Sequence, residues 1–131
     1  MRAPRRGLFA SRISRISRAQ WPTGLVYADE IGVSPCLSPK FPNVSIPYGS
    51  LVPIALDGVL ACGRHLSCDA TSHSFLREIP QCWITGQAAG AAAAIAANRG
   101  IAPRSIDIQE LQGALLAQGV FLRNPVTVAA T

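Results

Sequence analysis

The sequence predicts an α/β fold, and three stretches carry that expectation. Val59-Leu60-Ala61-Cys62 is a short continuous apolar run that follows the turn signal Asp57-Gly58 and stops at Gly63, which is how a fully buried parallel strand reads. Pro80 to Asn98 contains eight alanines and no charged side chain, so it predicts one long helix. A second, amphipathic helix opens near Asp107 and carries Leu111, Leu115 and Leu116 at helical spacing.

Four segments follow in order. Residues 1–20 hold six arginines and no acid, and read as a basic disordered leader or, with Ile13 and Ile16 between Arg12, Arg15 and Arg18, as an amphipathic organelle-import helix. They lack the apolar core of a secretory signal. Residues 21–56 are punctuated by Pro22, Pro35, Pro39, Pro42, Pro47 and Pro53, which exclude a long helix. Gly24–Tyr27, Val44–Ile46 and Tyr48–Val52 remain as short extended pieces. Residues 57–122 hold the strand, a polar loop of about 12 residues from Arg64 to Phe75, and both helices. Pro80 suits the first turn of the long helix and Gly100 its stop, while Asp107 and Glu110 resemble a capping box for the next. Val120–Leu122 is a candidate terminal strand, and residues 123–131 read as a frayed tail.

Composition narrows the function classes. The formal charge is +5, but residues 21–131 carry six basic and seven acidic side chains, so the basicity belongs to the leader. Nucleic-acid binding needs Lys and Arg gathered on a folded face, and this body does not supply them. The longest apolar run, Ala88 to Ala97, falls short of the ~20 residues a bilayer requires, so no transmembrane helix and a cytoplasmic location are expected. Cys36, Cys62, Cys68 and Cys82 form no CxxC pair, which argues for structural, reduced thiols and against zinc.

A helix apolar or small on every side must be buried on every side. So short a body, a third of it proline-punctuated, has little to cover such a helix with, which implies packing on a partner or on a larger fold. The order of strand, Gly63-Arg64, polar loop and a helix with Gly86-Gln-Ala-Ala-Gly90 in its opening turns also presents backbone amides to an electron-rich ligand. The same small residues equally suit close packing of backbones.

Several motifs in sequence are more specific. Ile46-Pro47-Tyr48, Ser50-Leu51-Val52-Pro53, Gly63-Arg64, Ser67, Asp69, His73, Leu76-Arg77, Pro80, Cys82 and Gly86 to Gly90 stand in one order over about residues 44–122. This stretch resembles the C-terminal part of FAD-dependent oxidoreductases, whose members carry IPYxSLVP, AGRxxS, LRxxP and GQAAG motifs. The resemblance implies the C-terminal fragment of a Rossmann-like FAD-binding domain: strand, long loop, buried Ala-rich helix, amphipathic helix. It further implies FAD contacts from Gly63, Arg64, Ser67, Gly86, Gln87, Ala88 and Gly90. Amides near Gly86 and Gln87 would face the flavin's pyrimidine edge, where the helix dipole stabilises the charge of reduced flavin. The chemistry would be hydride transfer between a small-molecule substrate and the flavin.

Other residues carry two readings each. His73 and Arg77 are the catalytic candidates, as proton carrier and carboxylate clamp, or else second-shell and loop-bracing groups. Arg64 pairs with a phosphate or braces its loop. Tyr48 lines the cleft or packs in the core, and Ser67 and Asp69 bond the ribityl chain or shape a turn. His65 has no better claim than His73. Two departures from the family pattern stand out: Ala70 occupies a position where many relatives have His, and bulky Phe75 stands where Gly-Ser precedes the Leu-Arg pair. The GxGxxG that would hold the ADP part of FAD is absent from the sequence, so a missing N-terminal half or partner chain is expected to anchor the cofactor. The cysteine spacing gives no support for an iron–sulfur cluster. Against this stands a non-enzymatic helical interaction module or decayed gene fragment.

Overall fold

The computed structural model describes residues 16–17, 23–35 and 43–123. Most of the leader, Cys36 and the tail from residue 124 lie outside them. The element order is β1 (Glu30–Ser34), β2 (Val44–Pro47), α1 (Ala70–Leu76), α2 (Ile79–Arg99) and α3 (Ile108–Ala117), with 3-10 turns at Tyr48–Leu51, Gly63–His65 and Pro103–Ser105. The α/β class stands.

The sheet differs from the expected one. Among the described residues it has two strands, β1 antiparallel to β2, with Gly32 opposite Ile46 and Ser34 opposite Val44. Val44–Ile46 is a strand as read, whereas Gly24–Tyr27, Val59–Cys62 and Val120–Leu122 are not, and Tyr48–Leu51 is a 3-10 turn. Val59–Cys62 finds no neighbouring strand: Val59 is exposed, and Ala61 makes a single main-chain bond to the Leu51 carbonyl at 2.8 Å. Ile16 lies within the segment read as the leader. It is fully buried and bridges Cys68 in parallel, its amide reaching Ser67 O at 3.1 Å and its carbonyl accepting from Asp69 N at 3.0 Å.

The polar loop also holds more structure than expected. Asp69 caps α1 by accepting the Ser72 amide at 2.8 Å, and Ser72, Phe75 and Leu76 turn inward at helical spacing. Phe75 therefore fits: its bulk fills the core.

α2 runs 21 residues, about 31 Å, from a start with Pro80 in its first turn to Gly100. Gly100 takes φ +63°, and Ile101 N reaches back to Ala96 O at 3.0 Å, a left-handed stop that glycine adopts without strain. Its burial is one-sided. Gln81, Thr85, Ala88, Ala89, Ala92 and Ala96 face the core, while Ile79, Trp83, Gln87, Gly90, Ala94 and Ala97 lie exposed. Within this chain the helix is covered on one side only, where β1, α3 and the 3-10 turns contact it, and the short body has nothing more among its described residues to cover the rest.

Asp107 caps α3 through the Gln109 amide at 2.9 Å. Glu110 closes no capping box and instead pairs with Arg99 of α2 at 2.9 Å. Leu111 and Leu115 are buried, but Leu116 faces outward, and Gln112 takes the inner place. Its amide nitrogen donates to Ala28 O at 2.9 Å and to Glu30 O at 3.0 Å, which hangs α3 on the start of β1.

Candidate functional site

The 3-10 turn Gly63–His65 packs on the opening turns of α2. Gly63 holds φ +73°, a conformation that any side chain would strain. Its amide donates to the hydroxyl of Thr85 at 2.9 Å. Thr85 is buried inside α2 and bonds the carbonyls of Gln81 and Cys82 at 3.0 and 3.1 Å. The turn closes on itself through Leu66 N to Gly63 O at 3.2 Å.

His73 reaches the turn from α1. Its Nε2 lies 3.2 Å from Arg64 O. The catalytic candidate is thus placed as a brace on the turn's second carbonyl. The Arg64 side chain is exposed and forms no ion pair with the described residues. Arg77 ends α1, exposed and likewise outside those ion pairs, with its carbonyl accepting weakly from Cys82 Sγ at 3.6 Å. A Cβ added to Gly63 would lie 3.9 Å from the same sulfur, so Cys82 sits between the turn and the end of α1. His65 is exposed on the turn.

The glycines of the Gly86–Gly90 motif are not at the tip of the helix. α2 starts at Ile79, two turns earlier, so the amides of Gly86 and Gln87 point at carbonyls four residues back. The amides without an intrahelical acceptor are those of Ile79 and Gln81, since Pro80 has none and Cys82 N bonds Glu78 O at 3.1 Å. Ala88 is fully buried in the core, on the stripe of Thr85 and Ala92, and presents nothing outward. A Cβ added to Gly86 or Gly90 would meet nothing within 4 Å. Cys82 and Gly86 stand one turn apart, so the open edge of α2 continues directly from the Gly63 turn.

Ser67 is half-buried and spends its main chain on Ser50 and Ile16. Asp69 shapes the α1 start rather than reaching outward. Tyr48 is a core residue, its hydroxyl donating to Pro103 O at 2.7 Å, and burial pushes its pKa up to about 12. Cys62, Cys68 and Cys82 are free thiols of intermediate burial. Among the described residues, no three of His, Cys, Asp and Glu gather as a metal site, and no helix is long and apolar enough to cross a membrane. A cleft of about 190 Å³ lies between β1, α2 and the chain after α3, lined by Gly32, Ile84, Gln87, Gln118 and Phe121. It is below the ~300 Å³ at which small-molecule sites begin.

A sequence model of the FAD dependent oxidoreductase family matches residues 11–115. The chain belongs to that family. The match begins well before the motifs at 44–122 and takes in Ile16, in keeping with that residue's place in the core. Comparisons with curated proteins and with solved structures found no match.

Two features of the site escaped the sequence. Thr85 hides in an Ala-rich run, where a lone hydroxyl signals only a mid-helix threonine. Ile79 and Trp83, one turn apart, mark the outward face of α2, and only the charge-free run hinted at it.

Proposed function

We propose that this chain supplies one wall of the FAD site of an oxidoreductase that transfers hydride between a small-molecule substrate and the flavin. The observation that carries the reading is the Gly63–His65 turn, with a cationic Arg64 that pairs with no acid among the described residues, opening onto a charge-free edge of α2 whose glycines face no described side chain. Both parts suit FAD. A guanidinium pairs in two-pronged fashion with diphosphate oxygens, and a helix edge with no side chain at Gly86 and Gly90 lets a flat ring approach the backbone.

The residues proposed to hold the cofactor are Gly63, Arg64, Gly86, Gln87 and Gly90, with Ser67 shaping the strap between the turn and α1. When bound, FAD supplies the two-electron chemistry of the family. The protein groups bind and orient. The positive end of the α2 dipole lies at Ile79–Gln81, close to the Gly63 turn, and favours negative charge there. Arg77 is the residue we assign to a substrate carboxylate, and His73 to holding the turn.

Affinity for FAD from this chain is weak, because one open wall and no GxGxxG leave the ADP part unheld. The exposed Ile79, Trp83, Ala94 and Ala97 are where the dinucleotide-binding half would pack. Co-expression with a GxGxxG-bearing half from the same family tests this. The expected product is a yellow complex with one flavin per chain, while this chain purified by itself is colourless. A colourless complex, or a lone chain carrying stoichiometric flavin, contradicts the reading.

A second reading is a helical docking module without catalysis. It is favoured by Trp83, 72% exposed and one turn from Ile79. Such a module would co-purify with its partner and carry no flavin.

A further inference from the structure

We infer that Thr85 is a positioning residue: its hydroxyl fixes the Gly63–His65 turn against α2 and so aims Arg64 at the cofactor. The inference rests on the FAD reading above for its ligand, but not for its geometry. Gly63 N donates to Thr85 Oγ1 at 2.9 Å, and this is a link across 22 residues between two different elements. The hydroxyl also lies 3.0 and 3.1 Å from the carbonyls of Gln81 and Cys82. Its proton therefore goes to the helix, and its lone pair is left facing Gly63. A hydroxyl with its donor spent in this way is an acceptor held in one orientation.

The consequence falls on Arg64. The residue before it is pinned by Thr85, its own carbonyl is met by His73 Nε2 at 3.2 Å, and the next residue but one closes the turn through Leu66 N. Backbone freedom at Arg64 is removed from both sides while its guanidinium stays exposed. A cation preset in this way gives up less conformational entropy on meeting an anion than one on a loose loop.

A packing role and a hydroxyl role for Thr85 make opposite predictions. Thr85→Val keeps the shape and removes the acceptor. Thr85→Ser keeps the acceptor and removes the methyl group. Amide hydrogen exchange at Gly63 in the full chain reads the difference. The hydroxyl role predicts exchange about tenfold faster in Thr85→Val and within about twofold of the parent in Thr85→Ser. The reverse order, or equal loosening in both, overturns it. Should Thr85→Val lose its helical circular dichroism, Thr85→Cys, a poor acceptor of similar size, takes its place against Thr85→Ser.

The same variants, each co-expressed with the GxGxxG-bearing half, are then titrated with FAD and followed by flavin fluorescence. The expected result is affinity about tenfold weaker in Thr85→Val, with Thr85→Ser like the parent. If the parent chain, paired with that half, takes up no FAD while Gly63 exchange follows the hydroxyl, the FAD reading falls and the clamp stands. If FAD binds all three equally while exchange follows the hydroxyl, Thr85 does not position the cofactor and the inference is overturned.

Discussion

Glu30 receives the main-chain amide of Arg123 at 2.6 Å, across 93 residues of sequence. The carboxylate is fully buried on β1, and its other oxygen meets both the Ser45 hydroxyl of β2 and the Arg123 guanidinium, the latter at 3.4 Å. Arg123 Nη1 goes on to Asn43 O at 2.9 Å. One acid therefore gathers both strands and the chain beyond α3. Removing one partner of such a pair leaves the other uncompensated. Glu30→Gln should lower unfolding stability by about 2 kcal/mol in urea titration, with part of the loss recovered in the Glu30→Gln, Arg123→Met double variant. An unchanged midpoint would remove Glu30 from the account of the fold.

Gly32 of β1 packs directly against Ile84 of α2. A Cβ placed there would overlap Ile84 Cγ2. Gly32→Ala should cost about 2 kcal/mol, and adding Ile84→Val should not repeat the loss but relieve part of it, a coupling that a double-mutant cycle measures. Simple additivity would mean the two residues do not press on one another.

Gly86 and Gly90 make the opposite prediction. Nothing in the described structure occupies the space of their side chains. Gly90→Ala should stabilise the isolated chain by about 0.5–1 kcal/mol through helix propensity, and raise its Tm. If the open edge is where FAD or the dinucleotide-binding half sits, the same change weakens flavin uptake. Higher stability with unaltered flavin uptake would assign the glycines to neither.

Tyr48 titrates in a defined window. Its folded pKa of about 12 lies above the ordinary 10.0, so the neutral phenol is the form the fold prefers. Its contribution to stability is whole below pH 10 and is lost as pH rises toward about 12, where the folded protein no longer resists ionisation. Tyr48→Phe should flatten the loss of stability in that window, read as the urea midpoint against pH. The hydrogen bond to Pro103 O goes with it, so the variant starts lower at neutral pH.

The sequence disclosed what local chemistry dictates. Alanine content, Pro80 and Gly100 announce α2, and Asp107 announces α3, because propensity and caps act within a few residues. β1 was not legible. It begins with Glu30, and a charged residue signals solvent unless a distant partner such as Arg123 is known. The strand read at Val59–Cys62 failed for the converse reason: apolar residues suit a strand, but pairing depends on a neighbour they do not encode. α1 had its signal in Asp69 and Ser72, a capping pair obscured by small polar residues. At the site, resemblance located Gly63-Arg64 and the Gly86–Gly90 motif. The bond from Gly63 to Thr85 joins residues far apart in sequence, and only the fold brings them together.

The most direct test of the central claim uses Trp83, which lies 72% exposed on the open face of α2. With Trp21→Phe leaving Trp83 as the one indole, FAD is titrated while its fluorescence is followed. Weak quenching that saturates only at excess FAD, and is weakened at least about tenfold further by Arg64→Ala, is the predicted result. Trp83 emission indifferent to FAD, or quenching that Arg64→Ala leaves intact, would contradict it.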